Sequence, residues 1–269
     1  MIGGEELADS KVLIPIDYEM LKCKNLKMGG FLYIAANSYY DDITNYRILP
    51  KENINYSKLA TDVYYSFPKD RRTVKSSFEK LAKSKKCKYI TETNKSYHFD
   101  NKWKQVDKRE KNDKIFTVGI STKVLNIMIE NMSENALRVF FYLYREWNYW
   151  VKYRGHFGFD FSITQICNSI GYCSTTKENR DVVKNSLTYL KGCGIIDIED
   201  SPVRKGRGEY IRLTHVSLQN LEKAVRETSF LEEKEKTEEV VIDNNVGCSY
   251  NENDIDMNDV FDMFEQEYA

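Results

Sequence analysis

Two stretches of this chain share one residue pattern, and this repeat limits the available folds more than any other feature. The first stretch is NYSKLATDVYYSFPKDRRTVKSSFEKLAKS at 55–84, and the second is SITQICNSIGYCSTTKENRDVVKNSLTYLKG at 162–192. With a two-residue insertion in the second stretch, the matching positions are Leu59-Ala60 with Ile166-Cys167, Val63 with Ile170, Tyr65 with Tyr172, and Arg71, Val74, Lys75, Ser77, Phe78 and Leu81 with Arg180, Val183, Lys184, Ser186, Leu187 and Leu190. We therefore expect one supersecondary unit to occur twice.

Each unit is predicted to contain three helices, because apolar residues recur at helical spacing and capping residues precede them. In the first unit the predicted ranges are 27–40, 57–63 and a third helix that begins at Pro68, a favoured first-turn residue. In the second unit they are 133–150 with Ser133 as N-cap, 162–170, and a third helix that follows a tight turn at Gly171. The apolar face of the third helix is the same in both units.

A β-hairpin is predicted to follow each third helix. The expected strands are 89–93 and 96–99 in the first unit, and 195–200 and 209–213 in the second, with a further short strand at 159–161. Three helices with a short turn between the second and third, followed by a hairpin, make a winged helix-turn-helix. The predicted fold class is therefore α+β, mainly helical, with two tandem winged helix-turn-helix domains followed by an acidic tail that we expect to be disordered.

The charge distribution supports this division of the chain. The predicted domains are 1–103, a charged linker at 104–114, 115–230 with a C-terminal helix, and the tail at 231–269. Residues 1–114 carry 23 Lys and Arg against 16 Asp and Glu, whereas 231–269 carry 2 against 13. The formal net charge of −1 thus hides a basic body joined to an acidic tail, an asymmetry that indicates nucleic-acid contact or a charged interaction tail.

The third helix of the first unit has a basic outer face that predicts DNA contact, because Lys and Arg suit phosphates and guanine edges while Thr and Ser can contact bases or backbone. A solvated surface helix would show the same charges. The candidate residues are Lys69, Arg71, Arg72, Thr73, Lys75, Ser76 and Lys80, with Lys95 in the hairpin turn.

The second unit differs, because Glu178 and Asp181 would repel phosphates at the corresponding outer positions. Its candidate residues on the helix are Lys177, Asn179, Arg180 and Lys184. Its wing carries Arg204, Lys205 and Arg207 between glycines, which suits phosphate or minor-groove contact, although an ordinary charged hairpin would look alike. The second unit could instead contact protein, and a homodimer remains open.

The tail contains an amphipathic segment at 256–268. Its apolar residues recur at helical spacing, which predicts a helix that folds onto an apolar groove of a partner. A merely solubilising tail, or an acidic segment that competes with DNA, are the alternatives. The candidate partner-binding residues are Met257, Val260, Phe261, Phe264 and Tyr268.

Signals of an enzyme or a membrane protein are missing from the sequence. There is no P-loop, no GxGxxG and no cluster of metal ligands, so we expect no catalytic activity, no metal and no cofactor. The longest apolar runs are too short to span a bilayer, and the N-terminus does not resemble a secretory signal. The six cysteines form no CxxC pair, which is typical of a reduced compartment and predicts a cytoplasmic protein.

Over 12–230 the repeated helix-turn-helix pattern resembles the tandem winged-helix replication initiators of bacterial plasmids and the related replisome organisers of phages. The resemblance implies binding of repeated origin sequences in double-stranded DNA and recruitment of host replication proteins. A transcriptional regulator with the same domains, or a protein-interaction module without a DNA role, remain as alternatives.

Overall fold

The computed structural model describes residues 11–61, 63–100, 116–201, 210–220 and 223, and it is a mixed α+β structure. The first half contains β1 (Lys11–Ile16), α1 (Tyr18–Lys22), α2 (Met28–Asn37), β2 (Tyr39–Asp41), β3 (Tyr46–Pro50), a 3-10 turn (Lys51–Asn53), α3 (Tyr56–Leu59), α4 (Arg71–Lys83), β4 (Ile90–Glu92) and β5 (Ser96–Asp100). The second half contains β6 (Phe116–Ser121), α5 (Thr122–Asn131), α6 (Glu134–Trp147), a π-helix (Asn148–Tyr153), β7 (Phe159–Phe161), α7 (Ile163–Ser169), α8 (Lys177–Gly192), β8 (Ile196–Asp200) and β9 (Ile211–Val216).

The two halves have the same order of α-helices and strands, apart from the additional strand β2. The two strands that follow α4, and the two that follow α8, pair antiparallel. An earlier strand of the same half, β3 or β7, pairs with the second of them, which gives the orders β3-β5-β4 and β7-β9-β8. In the first half, β2 extends the sheet beyond β3. The predicted repeat is thus matched by a repeated arrangement of helices and strands.

The apolar faces of α4 and α8 lie in the core, as their sequences predict. Val74, Phe78 and Leu81 have no exposed surface, and their counterparts on α8 are exposed by 3% or less. Ser77 and Ser186 are also buried at matching positions, and each hydroxyl donates to a carbonyl of the preceding turn, of Val74 at 2.6 Å and of Val182 at 2.8 Å. This back-bonding satisfies a polar group that would otherwise be costly to bury.

Three helix boundaries in the first half differ from the sequence prediction. α2 ends at Asn37 rather than at residue 40, because Ser38 has extended backbone and β2 begins at Tyr39. α4 begins at Arg71 rather than Pro68, because the Asp70 carboxylate accepts from the Thr73 backbone N–H at 2.7 Å and caps the helix there. α3 ends at Leu59 rather than at residue 63, and the Thr61 hydroxyl donates to the Lys58 carbonyl at 2.7 Å, a local bond that competes with a further helical turn. In the second half, α6 begins directly after the predicted N-cap Ser133, as expected. It ends at Trp147 rather than at residue 150, because a π-helix begins at Asn148.

Strands β1 and β6, which the sequence pattern did not reveal, join the two halves. The strands are antiparallel: Lys11 at the start of β1 pairs with Ser121 at the end of β6, and Ile16 at the end of β1 pairs with Phe116 at the start of β6. Because each strand begins its half of the chain, the pairing brings the starts of the two halves together. All the described residues belong to one compact unit.

A buried ion pair strengthens the contact between the halves. Arg138 of α6 is 1% exposed and its guanidinium donates to the carbonyls of Leu21, Cys23 and Leu26, which end α1 and lead into α2. Glu134, one turn earlier, pairs with the Arg138 Nε at 2.8 Å and also accepts the first N–H groups of α2. The pair therefore satisfies both ends of the α1–α2 turn, whose backbone groups have no helical partner.

Candidate nucleic-acid interface

The outer face of α4 is strongly basic. The exposed cationic residues are Arg71, Arg72, Lys75, Lys80 and Lys83. Ser76 is half-buried among them, and Glu79, which is also half-buried, is the acid within the helix. Because the opposite face of α4 is anchored in the core, these cations are presented on a rigid element.

Two of the candidate residues on this face have contacts within the chain. The Thr73 hydroxyl donates to Asp70 at 2.6 Å, and these hydrogen bonds hold the pKa of Asp70 below its ordinary value. The Lys69 ammonium donates to the Thr61 carbonyl at 3.0 Å and lies 5.6 Å from the centre of the Tyr65 ring. Both residues thus help to shape the turn before α4, and both remain exposed.

The outer face of α8 carries a mixture of charges. Lys177, Arg180 and Lys184 are exposed, and so is Glu178. Arg180 and Lys184 occupy the repeat positions of Arg71 and Lys75, so both helices expose the same two cations. The amide of Asn179 donates to the Cys173 carbonyl at 3.0 Å, which places this candidate side chain in the α7–α8 turn.

The α7–α8 turn is set by two small residues. Gly171 has φ +81°, and a Cβ there would lie 2.0 Å from the Lys22 carbonyl oxygen. Cys167 on α7 has no exposed surface, as expected for the position that matches Ala60, and its thiol donates to the Asn179 carbonyl at 3.7 Å. These contacts fix the angle at which α8 leaves the turn.

Cys173 lies in the same turn and has an unusual thiol. It is exposed, and its Sγ lies 3.0 Å from the Thr175 hydroxyl. Hydrogen bonds from Thr175, and then from Thr176, lower the pKa of Cys173 to about 7. A large fraction of this thiol is therefore the thiolate at neutral pH.

The structure describes the turn between β4 and β5, which is the predicted wing of the first unit, but not the predicted wing residues of the second unit. Lys95 is exposed in the turn between β4 and β5, where Thr93 and Ser96 bond across the turn at 2.9 Å. Arg204, Lys205 and Arg207, together with the tail residues Met257, Val260, Phe261, Phe264 and Tyr268, lie outside the described residues, as does the predicted linker at 104–114.

Sequence reasoning missed a group of exposed aromatic and apolar side chains at the junction between the halves. Val63 is 60%, Tyr65 61% and Tyr189 37% exposed. In the repeat, Val63 matched Ile170, yet Ile170 is fully buried. The difference arises because α3 ends early and the following residues rest on the end of α5.

The comparisons with known proteins identify no relative of this chain. No protein-family model, curated protein or solved structure matches it significantly. Within the described residues, no group of His, Cys, Asp and Glu side chains could hold a metal ion, and no helix has the length and apolarity needed to cross a membrane.

Proposed function

We propose that the chain is a sequence-specific double-stranded DNA-binding protein with two winged helix-turn-helix units, and that it serves as a replication initiator of a plasmid or phage. The observation that carries the DNA-binding proposal is the outer face of α4, where five exposed cations project from a helix whose opposite face is buried. Phosphate contacts of this kind supply most of the affinity of a DNA-binding protein.

The arrangement of elements supports the winged-helix assignment. In both halves a short helix and a turn precede the longer helix, α4 or α8. Three antiparallel strands have the same order in both halves, and β2 adds a fourth strand in the first half. A helix held in this way can enter a major groove while the preceding helix crosses the backbone. The initiator role rests on the resemblance to plasmid and phage initiators.

The two halves are proposed to contribute unequally. The cations of α4 would read the groove, whereas Glu178 on α8 would repel phosphates, so the second half would rely more on its wing. The acidic tail would recruit a host replication protein. Deletion of 232–269 should accordingly leave duplex affinity nearly unchanged and abolish replication in cells, and replacing Phe261 and Phe264 by Ser should have the same effect.

The DNA-binding proposal is tested with paired alanine variants. Arg72→Ala with Lys75→Ala should weaken binding to a preferred duplex by about a hundredfold, since each lost contact costs about tenfold. Lys11→Ala with Lys123→Ala removes the same charge from exposed residues of β1 and α5, and should change affinity by less than about threefold. Equal losses from both pairs would contradict a role for α4.

Footprinting on the replicon that encodes the chain tests the initiator role. Protection of repeated sequences within the replication origin supports it. Protection confined to a promoter would show a transcriptional regulator instead.

A further inference from the structure

The strongest unassigned feature is the exposed group at the junction of the halves, which we call the seam strip: Val63, Tyr65, Lys69 and Tyr189. Tyr65 precedes α4 in the first half, and Tyr189 lies on α8 in the second. Of the seven large apolar side chains that are exposed among the described residues, three belong to this strip beside the basic face, and grouped exposed apolar side chains mark an interaction site.

The end of α5 holds the strip in place. The Tyr65 backbone N–H donates to the Glu130 carbonyl at 3.1 Å, and the Tyr189 hydroxyl donates to the Asn131 carbonyl at 2.7 Å. Ser66, which is buried, donates through its hydroxyl to the Ile129 carbonyl at 2.7 Å. The last three carbonyls of α5, which lack helical partners, are thus satisfied by residues of the strip and its neighbour.

These bonds bring the two tyrosines together. The Tyr65 backbone and the Tyr189 hydroxyl bond the carbonyls of two consecutive residues, Glu130 and Asn131, which places both tyrosines at the same end of α5. The backbone of Tyr65 is fixed while its ring remains 61% exposed. The ring is therefore presented to solvent from an anchored backbone position.

The charges around the strip favour an anionic ligand. The Lys69 ammonium lies 5.6 Å from the Tyr65 ring centre, and the first cations of α4, Arg71 and Arg72, follow directly along the chain. Among the acids that the structure describes, Asp70 and Glu130 lie nearby; the Asp70 carboxylate is engaged as the cap of α4, and Glu130 is half-buried. An exposed aromatic ring beside a lysine is the combination that binds nucleic-acid bases by stacking while the cation holds the backbone.

We propose that the seam strip binds an unpaired base of DNA, with the base stacked on the Tyr65 ring. The base must be unpaired because both faces of a paired base are covered by its neighbours within the duplex. This inference rests on the proposed DNA binding by α4 and extends it: the same protein would hold duplex on α4 and a locally opened strand at the seam strip.

The test uses the full chain and two fluorescent duplexes of equal length, one fully paired and one with a three-base unpaired loop that contains 2-aminopurine. Wild-type protein should bind the looped duplex about tenfold more tightly, and the 2-aminopurine signal should fall as the base stacks. Tyr65→Leu should lose both effects. Tyr65→Phe, which keeps the ring, and Tyr39→Leu, which removes a tyrosine that is 51% exposed elsewhere, should retain them.

The outcomes separate this inference from the proposed function. Loss of the preference in Tyr65→Phe would show that the hydroxyl bonds a phosphate, and would overturn stacking. A Tyr65→Leu variant that binds both duplexes like the wild type would also overturn it and would leave the strip as a protein-docking surface, with DNA binding by α4 intact. Failure of the wild type to bind either duplex would refute the proposed function itself.

Discussion

Replacing Arg138 by Met should reveal how strongly the two halves depend on each other. Met fills a volume similar to the arginine stem but donates no hydrogen bond. The substitution would leave the carbonyls of Leu21, Cys23 and Leu26 without this donor, and Glu134 without its cation. The Arg138 side chain is 2% exposed and the Glu134 side chain 17%, so water can replace little of what is lost.

The expected cost follows from this burial. Removing one partner of a buried ion pair costs about 3–5 kcal/mol. The free energy of unfolding should therefore fall by about 4 kcal/mol, a large part of the ~5–15 kcal/mol that is usual for a folded protein. For a chain of this size the melting temperature should fall by about 8–16 °C.

Urea denaturation followed by circular dichroism measures the effect. Arg180→Met is the matched control, because Arg180 is exposed on α8, and it should change stability by less than about 0.5 kcal/mol. A loss below about 1 kcal/mol in Arg138→Met, or equal losses in both variants, would refute the reasoning. Separate unfolding transitions for the two halves in the wild type would refute it as well.

Two further predictions concern the α7–α8 turn. Gly171→Ala should lower the free energy of unfolding by about 3 kcal/mol or more, because the φ of Gly171 is +81° and the new Cβ would lie 2.0 Å from the Lys22 carbonyl oxygen. In the same urea assay the control Gly192→Ala should be neutral or slightly stabilising, because its Cβ would have no atom within 4 Å. The exposed Cys173 thiol should react with a disulfide reagent at a rate that increases with pH, with the midpoint of the increase at about pH 7, because Thr175 stabilises the thiolate. A midpoint at about pH 9 would show that this hydrogen bond does not form in solution.

The elements that sequence reasoning found depend on local signals. Ser133 and Ser162 each cap a helix by accepting a backbone N–H three residues on, and both caps can be recognised from the residues that follow them. The buried faces of α4 and α8 follow from the spacing of apolar residues. The cations of α4 could be placed on the outer face for the same reason.

The elements that it missed depend on partners distant in sequence. β1 and β6 are short apolar runs that pair with each other, about a hundred residues apart in the chain, and the sequence of neither run indicates its partner. The sequence also gives no sign of what Arg138 does: it is buried because its guanidinium donates to carbonyls at the end of α1, far away in the chain. The exposure of Tyr65 likewise depends on α5, an element that the periodicity did not reveal.

The salt dependence of duplex binding tests the central claim most directly. The full chain has a formal net charge of −1, so attraction to DNA must come from a local basic surface. The logarithm of the association constant should fall steeply and linearly with the logarithm of salt concentration, and Arg72→Ala with Lys75→Ala should reduce that slope by about 2. A slope near zero in the wild type, or one that the paired substitution leaves unchanged, would contradict DNA binding by the outer face of α4.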